Sequence, residues 1–182
     1  MKRLLFLFIA SFFLVFNLNA QDNIGSTERV EVINDFKNLF RYQNFYIGGQ
    51  PTLEALQWLK SQGVIKIVNL RSEKENIEYS ESAYNEKTYT QKLGFEYYSI
   101  PIDVSKDYTP EKLEVFINLI NKDEKLLIHC LSGGRATNFF MAYLIKHKGY
   151  PINEAVKIGR SISFMFPLEK ILASEVSMEI MK

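Results

Sequence analysis

The chain has 182 residues, 47% of them hydrophobic and 14% aromatic, and its 22 basic and 21 acidic side chains give a formal net charge of +1. This composition excludes a disordered chain, and the length suits one packed domain better than two. The even balance of charges argues against the basic surface that a nucleic-acid-binding protein presents, so no nucleic-acid partner is expected.

Residues 1–20 have the layout of a secretory signal peptide. Lys2 and Arg3 precede an uncharged, almost wholly apolar run over residues 4–16, and the small residue Ala20 follows at the expected cleavage position. The apolar run is shorter than the ~20 residues that a membrane-spanning helix needs. We therefore expect an exported protein, periplasmic or secreted after cleavage near Ala20. An uncleaved N-terminal anchor is the alternative, and no other membrane contact is expected.

After a leader at 21–27, the chain alternates between helical and strand-like patterns. Runs rich in β-branched and aromatic residues predict strands over 45–47, 64–70, 95–101 and 125–129. Apolar residues at helical spacing, with Thr52 and Thr109 as candidate N-caps, predict helices over 29–40, 53–62, 80–92, 110–120, 137–148, 153–162 and from 168 onward. The alternation predicts an α/β fold, with a central, mostly parallel sheet flanked by helices. We divide the chain into a signal peptide at 1–20, an N-terminal leader and helix at 21–44, and one domain at 45–182.

Cys130 is the only cysteine in the chain, and it directly follows the predicted strand 125–129. Exported proteins usually carry paired cysteines, so a single one is either a buried apolar residue or a thiol kept for its reactivity. Arg71 and Asp103 also come just beyond predicted strands. Because the carboxyl ends of parallel strands share one edge of the sheet, where α/β proteins bind ligands, these three residues could lie on one rim.

The residues after Cys130 have the composition of an anion-binding loop. Gly133 and Gly134 permit the backbone torsions that point several N–H groups at one centre, and the helix predicted from Thr137 adds its N-terminal dipole. The planar fork of Arg135 matches two oxygens of a phosphate or sulfate. This positive field would favour the thiolate form of Cys130. Such a thiolate is placed for in-line attack on a bound tetrahedral anion, followed by hydrolysis of the covalent product.

The stretch from His129 to Arg135, His-Cys-Leu-Ser-Gly-Gly-Arg, resembles the signature of the cysteine-dependent tyrosine and dual-specificity phosphatases, in particular the bacterial beta-lactamase-hydrolase-like (DUF442) branch. Segments 47–51, 67–71 and 100–103 resemble that branch in the same order, so the likeness covers most of the mature chain. The resemblance implies a cysteine phosphatase fold and hydrolysis of phosphate monoesters. The substrate would be a phosphorylated small molecule or a phosphoprotein, and no cofactor would be needed.

By the same resemblance, Cys130 is the nucleophile and Arg135 clamps the phosphate. The loop that holds the anion consists of Leu131, Ser132, Gly133 and Gly134. Asp103 lies close to where phosphatases of this class carry the acid that protonates the leaving group, and Asp107 is the alternative. Either carboxylate could instead cap a loop or a helix.

Hydroxyl and imidazole groups near the nucleophile are expected to support it. His129 precedes Cys130 and would hydrogen-bond the loop backbone, a structural task rather than proton transfer. Ser132 or Thr137 would donate a hydrogen bond to the thiolate and help it to leave in the second step. Alternatively, Thr137 would only cap its helix.

Arg71 is expected to follow its strand directly and has two possible roles. It could add to the positive field of the pocket, or it could pair with Glu73 or Glu75. With two histidines and one cysteine, the chain cannot build a conventional zinc site, so no metal is expected.

The spacing within the loop departs from the common phosphatase pattern. Four residues separate Cys130 from Arg135, whereas five are usual in tyrosine phosphatases. The shorter spacing occurs in the DUF442 branch and also in rhodanese-type sulfurtransferases, in which the cysteine would carry a persulfide. The segment after Arg71 lacks the Gly-His-Ile-Pro-Gly-Ala stretch that usually follows in rhodaneses. A phosphatase is therefore the favoured interpretation, with a sulfurtransferase or a non-catalytic anion-binding relative as alternatives.

Overall fold

The three-dimensional structure is a computed structural model that describes residues 29–104, 106–121, 123–163 and 168–173. The predicted signal peptide and leader, and most of the predicted C-terminal tail, lie outside these ranges, so export and cleavage near Ala20 stay predictions. Over the described ranges, no helix is both long and apolar enough to span a membrane.

Six strands of the described chain form one mixed sheet. They are β1 Glu31–Val32, β2 Leu39–Tyr42, β3 Phe45–Gly48, β4 Lys66–Asn69, β5 Glu96–Ser99 and β6 Leu126–His129. Their order across the sheet is β1-β2-β3-β6-β4-β5. The pairs β1–β2 and β2–β3 are antiparallel, and the pairs β3–β6, β6–β4 and β4–β5 are parallel. The predicted α/β architecture with a mostly parallel central sheet is confirmed.

Helices follow or connect these strands. Those of the described residues are α1 Leu53–Ser61, α2 Glu73–Ser82, α3 Glu86–Lys92, α4 Pro110–Ile117, α5 Gly134–Lys146, α6 Ile152–Arg160 and α7 Glu169–Leu172. The two predicted N-caps are confirmed, since Thr52 accepts a hydrogen bond from the Ala55 N–H at 3.1 Å and Thr109 accepts one from the Lys112 N–H at 3.4 Å. Helix α4 opens on Pro110, whose missing N–H is not needed at the first helical position.

The helices cover both faces of the sheet, because alternate residues of a strand point to opposite sides. Leu126 and Ile128 of β6 pack into a large apolar cluster with α4 to α7. Leu127, between them, packs into a second cluster that includes Leu56 and Leu59 of α1. Helix α5 lies at the centre of the first cluster, where every residue over 136–144 is buried.

The helix predicted over 29–40 is wrong, because this segment forms β1, a turn and β2 at the edge of the sheet. Asn38 and Gln43, which flank β2, both have a φ of 55°, and these left-handed residues let the chain reverse twice. The apolar spacing that suggested a helix instead buries Leu39 and leaves Val32 57% exposed.

The polar stretch before β5 holds two short helices rather than the one predicted over 80–92. Helix α2 starts at a capping box in which Ser72 and Glu75 each bond the other's backbone N–H. Helix α3 starts at Asn85, whose side chain accepts a backbone N–H of the first turn. The sequence signature of a capping box, Ser followed three residues later by Glu, is present here, so the start of α2 was predictable.

Candidate active site

The carboxyl ends of β4, β5 and β6 meet at one edge of the sheet. The Leu70 N–H donates to the His129 carbonyl at 2.7 Å, and the Ile100 N–H donates to the Asn69 carbonyl at 2.9 Å. A cleft of about 590 Å³ lies over this edge, between the loop after β6, the segment after β5 and the start of α2. The residues predicted for the site that line this cleft are Asp103, Leu131, Ser132, Gly134 and Arg135.

Cys130 lies beneath this loop and is 1% exposed. Its sulfur accepts a hydrogen bond from the Gly133 N–H at 3.2 Å, so the backbone of the loop turns toward the thiol as expected. Gly133 has a φ of 99°, a left-handed conformation that residues with side chains rarely adopt. Helix α5 begins at the next residue, Gly134, three residues before the predicted start at Thr137. The positive end of the helix dipole therefore adjoins the sulfur directly.

The end of β3 supports the loop from the side. The Cys130 N–H donates to the Gly48 carbonyl at 3.3 Å, and the Gln50 N–H donates to the Leu131 carbonyl at 3.0 Å. These two bonds connect the loop to the segment whose sequence also matches the phosphatase pattern. The loop is thus held by the sheet on one side and by α5 on the other.

The two hydroxyls considered for the thiolate lie in different environments. Thr137 is buried in α5, and its hydroxyl donates to the Gly133 carbonyl at 2.9 Å. The N-cap of α5 is Gly133, so Thr137 does not cap the helix and instead ties the loop to it. Ser132 is exposed and lines the cleft.

Arg135 is held in place by a carboxylate that sequence reasoning did not assign to it. Its Nη1 and Nη2 donate to the two carboxylate oxygens of Glu75, each at 2.6 Å, and Nη1 also donates to the Ile102 carbonyl at 3.0 Å. The side chains of Arg135 and Glu75 are 11% and 22% exposed. A bidentate, largely buried pair of this kind fixes both the position and the plane of the guanidinium.

The charges of this pair stabilise each other. Burial by itself lowers the pKa of Arg135, but the hydrogen bonds and charge of Glu75, together with the nearby Cys130 sulfur, outweigh burial and raise it. Burial raises the pKa of Glu75, but hydrogen bonds from Arg135 and Ser72 outweigh burial and lower it. Both groups are therefore ionised at neutral pH, and the guanidinium stays beside the sulfur.

Arg71 lies below the cleft rather than on its rim. It is 2% exposed, and its Nη2 is 2.5 Å from a carboxylate oxygen of Glu86. The predicted pairing of Arg71 with Glu73 or Glu75 is wrong, because α2 directs Glu75 toward Arg135 and Glu86 at the start of α3 lies closer to Arg71. Sequence reasoning missed Glu86, and no local motif identifies it.

His129 contacts the loop backbone, as expected. Its Nδ1 lies 3.3 Å from the Cys130 carbonyl oxygen, and its Nε2 lies 2.8 Å from the second carboxylate oxygen of Glu86. Burial raises the pKa of Glu86, but its contacts with His129 and Arg71 and a hydrogen bond from Gln50 outweigh burial and lower it. Glu86, Arg71 and His129 thus form a buried charged cluster directly beneath the cysteine loop.

The two candidate acids both line the cleft. The Asp107 carboxylate accepts the backbone N–H of Asp103 at 2.9 Å and so holds the turn after β5. The Asp103 carboxylate lies 3.6 Å from the Lys106 ammonium and its side chain is 46% exposed. Among the described residues, no group of three or more His, Cys, Asp or Glu side chains is arranged to hold a metal ion.

These features together define a class. A mostly parallel sheet, a cysteine loop that leads into a helix N-terminus, and an arginine in the first turn of that helix are the fold and signature of the cysteine-dependent tyrosine and dual-specificity phosphatases. The chain belongs to the family described as "DSP-PTPase phosphatase fused to NAD+ Kinase", whose model matches residues 13–162.

Solved structures place the chain in the same fold. A phosphatase candidate of the DUF442 family from Shewanella putrefaciens CN-32 has a TM-score of 0.58 and 23% identity, covering 76% of this chain and 90% of that one. TpbA from P. aeruginosa, in complex with phosphotyrosine, has a TM-score of 0.59 and 14% identity, covering 82% of this chain and 86% of that one. At these identities the likeness establishes the fold and not the substrate.

A relative by sequence is NAD kinase 2, chloroplastic, of Arabidopsis thaliana. The two are 26% identical over 140 residues, which are 76% of this chain and 14% of that protein. The chain therefore spans a small part of the length of this relative.

Proposed function

We propose that this chain is a phosphatase that hydrolyses phosphate monoesters through a cysteinyl-phosphate intermediate at Cys130. The observation that carries the proposal is the 3.2 Å hydrogen bond from the Gly133 N–H to the Cys130 sulfur, at the N-terminus of α5 and beside Arg135. The backbone N–H groups of the loop, the positive end of the α5 dipole and the guanidinium all lie close to the Cys130 sulfur. Together they favour a thiolate at the sulfur and the binding of a phosphate anion next to it. Membership of the DSP-PTPase family supports this proposal.

The phosphate group of the substrate would bind to the N–H groups of the loop and to Arg135. Glu75 and the Ile102 carbonyl already fix the guanidinium, so its donors need no reorganisation when charge develops on the phosphoryl oxygens. The backbone of the loop residues 131–134 would surround the phosphate on the side that faces the Cys130 sulfur. Preorganised donors of this kind are usually the largest electrostatic contribution to the rate of an enzyme.

The reaction would proceed in two displacements. In the first, the Cys130 thiolate attacks phosphorus while the ester P–O bond breaks, and a carboxylic acid protonates the leaving oxygen. In the second, the same carboxylate takes a proton from a water molecule that attacks phosphorus, and the S–P bond breaks to restore the thiolate and release inorganic phosphate. We assign the acid to Asp103, because the Asp107 carboxylate is engaged in holding the backbone of the turn.

The substrate would be a phosphorylated small molecule or a phosphoprotein. The cleft volume of about 590 Å³ is within the range of small-molecule sites, and it accommodates an aryl group attached to the phosphate. Leu131, which is 49% exposed at the cleft, offers an apolar contact to such a group. TpbA, a structural neighbour with the same fold, binds phosphotyrosine, which supports an aryl phosphate as the first substrate to test.

The proposal is tested by assaying the hydrolysis of an aryl phosphate by the wild type and by Cys130→Ser. We expect turnover that persists in EDTA and that falls by about 10³-fold or more in the variant, because the hydroxyl is a far weaker nucleophile than the thiolate. Equal melting temperatures of the two proteins would show that the loss is chemical. Thiocyanate formation from thiosulfate and cyanide without phosphate release would instead establish a sulfurtransferase. Phosphate binding without either activity would establish a non-catalytic relative.

The identity of the acid is tested by comparing Asp103→Asn with Asp107→Asn on two aryl phosphates. The proton matters most when the leaving group is basic, so Asp103→Asn should lower kcat/KM, which reports the first displacement, by about 10²-fold for a phenol-type leaving group and much less for a nitrophenol-type one. Asp107→Asn should show no such dependence on the leaving group. The reverse pattern would assign the acid to Asp107, and two equal, mild effects would exclude both.

A further inference from the structure

A second pocket lies beside the cleft, on the other side of the cysteine loop. Leu131, which is 49% exposed, lines both the cleft and this second pocket. The second pocket has a volume of about 260 Å³ and lies between the turn before β2, the segment after β3 and the start of α1. No step of the proposed reaction uses it.

Backbone hydrogen bonds connect the walls of the second pocket to the cysteine loop. The Gln50 N–H donates to the Leu131 carbonyl at 3.0 Å, and Gly49 forms an isolated antiparallel bridge with Ser132. The Gly49 N–H also donates to the Asn38 carbonyl at 3.0 Å, which ties in the turn before β2. The second pocket and the phosphate site are therefore parts of one hydrogen-bonded frame, which fixes the distance between them.

The residues that line the second pocket indicate which chemical group fits it. Phe36, Pro51, Ala55 and Leu131 provide apolar walls, and Lys37 is the only charged residue among the described residues that line it. An apolar side chain would gain by leaving water here, whereas a cationic one would be repelled by Lys37. The volume is below the range of about 300–1,000 Å³ that is usual for complete small-molecule sites, so it suits a single side chain.

We propose that the second pocket is a specificity subsite for a phosphopeptide substrate and binds an apolar side chain two positions from the phosphorylated residue. This inference rests on the proposed function. Successive side chains of an extended peptide point to opposite sides, so the nearest neighbour that faces the same surface is two residues away, about 6.5–7 Å along the chain. The exposed side chain of Leu131 lies between the two sites, and an extended backbone crosses it without bending.

The first test compares phosphotyrosine peptides that differ at one position. Each carries Leu, Ala or Lys two residues before or two residues after the phosphotyrosine, in an otherwise constant sequence, and a compact aryl phosphate is the reference substrate. At one of the two positions we expect kcat/KM to be about tenfold higher for Leu than for Ala, and lowest for Lys. Equal kcat/KM for Leu and Ala at both positions would overturn the proposal.

The second test fills the pocket. Ala55→Met extends a side chain into it from α1, and Gln57→Met places the same side chain at an exposed position of the same helix that does not line the pocket. The preference for Leu over Ala should fall to within about twofold in Ala55→Met. It should persist in Gln57→Met, whose kcat/KM on the aryl phosphate should equal that of the wild type. A preference that survives in a folded Ala55→Met protein would overturn the proposal.

A third variant covers the case in which Ala55→Met does not fold. Lys37 is exposed, so Lys37→Glu reverses the charge at the pocket without disturbing the core. It should raise kcat/KM for the Lys peptide relative to the Ala peptide by about threefold or more. An unchanged ratio would contradict the proposal.

The reference substrate separates failure of the subsite from failure of the proposed function. Hydrolysis of the aryl phosphate but of none of the peptides would overturn the subsite and leave the proposed function standing. Hydrolysis of neither the aryl phosphate nor the peptides would overturn the proposed function and the subsite with it.

Discussion

Strand β4 has a buried cation near each end, Lys66 where it begins and Arg71 two residues after it ends, and the two cations differ in how they are paired. At the amino end, Lys66 is buried but donates to the Leu119 carbonyl at 2.9 Å and to Glu124 at 2.6 Å, and the Glu124 side chain is 27% exposed. At the carboxyl end, Arg71, its partner Glu86 and the neighbouring His129 are almost fully buried.

The difference indicates what each cluster does. The amino-end pair reaches solvent, so it satisfies a long side chain at the edge of the fold and adds little stability. The carboxyl-end cluster takes the charges of Arg71 and Glu86 out of water, which costs several kcal/mol per ion before their attraction is counted. This cluster lies beneath Cys130 and Arg135, where a rigid support would keep the residues of the proposed active site in place. The following variants test whether activity depends on residues at the carboxyl end of the sheet and not on residues at the amino end.

The largest effect is expected from Arg135→Lys at the carboxyl end. A lysine cannot donate in the two-pronged manner that matches phosphate and Glu75, so kcat/KM on an aryl phosphate should fall by about 10²–10³-fold. The same change at Arg41, whose pair with Glu31 lies on the exposed β1–β2 edge, serves as the control and should leave kcat/KM unchanged. A loss for Arg135→Lys that matches the control would show that the fork is not used on the substrate.

A smaller effect is expected from Glu75→Gln, which keeps the shape but removes the charge that holds Arg135. We expect kcat/KM to fall by about tenfold, because the guanidinium is less firmly oriented. An unchanged kcat/KM would contradict this prediction and would mean that the Ile102 carbonyl and the loop are sufficient to orient Arg135.

The same variant also has a pH signature. The pKa of Glu75 is lowered in the fold from its ordinary value of 4.5, so its ionised form stabilises the fold above that pH, and this contribution is lost as the pH falls through the folded pKa. The difference in free energy of unfolding between wild type and Glu75→Gln, measured in urea, should therefore shrink as the pH is lowered below about 4.5. A difference independent of pH would contradict this.

The smallest effect is expected at the amino end, from Lys66→Met combined with Glu124→Leu. Because this pair lies at the opposite end of β4 from the cleft, kcat and KM should stay within about twofold of the wild type. The melting temperature should change by only a few degrees, since a partly exposed pair is exchanged for apolar packing. A tenfold loss of activity would show that the two ends of the sheet are coupled.

Much of this arrangement follows from local sequence. A run of β-branched and aliphatic residues, a glycine pair and a following apolar helix locate the Cys130 loop, and Thr52 and Thr109 mark helix starts through their own side chains. The alternation of strand and helix patterns predicted that Arg71, Asp103 and Cys130, which follow three strands, lie near one edge of the sheet. In each case the pattern can be read from neighbouring residues or from the order of strands and helices along the chain.

The parts that could not be predicted depend on contacts between distant segments. Glu75 and Glu86 lie in the same acidic stretch, and nothing near them shows that one faces Arg135 and the other Arg71. The packing of α2 and α3 against different strand ends determines which arginine each glutamate contacts. The edge hairpin of β1 and β2 was mistaken for a helix because pairing with β3 outweighs a local apolar spacing that fits a helix.

Helix α5 begins in the cysteine loop and continues through the most buried part of the fold, where the residues over 136–144 are all inaccessible. The loop therefore cannot open by local fraying, because its first helical turn is part of the core. Amide hydrogen exchange at Thr137, whose N–H donates to the Gly133 carbonyl at 2.9 Å, should follow the global opening of the domain rather than the faster exchange typical of surface loops. Heating should abolish catalysis and melt the core in one transition, so this protein has no temperature range in which it is folded but has lost its site.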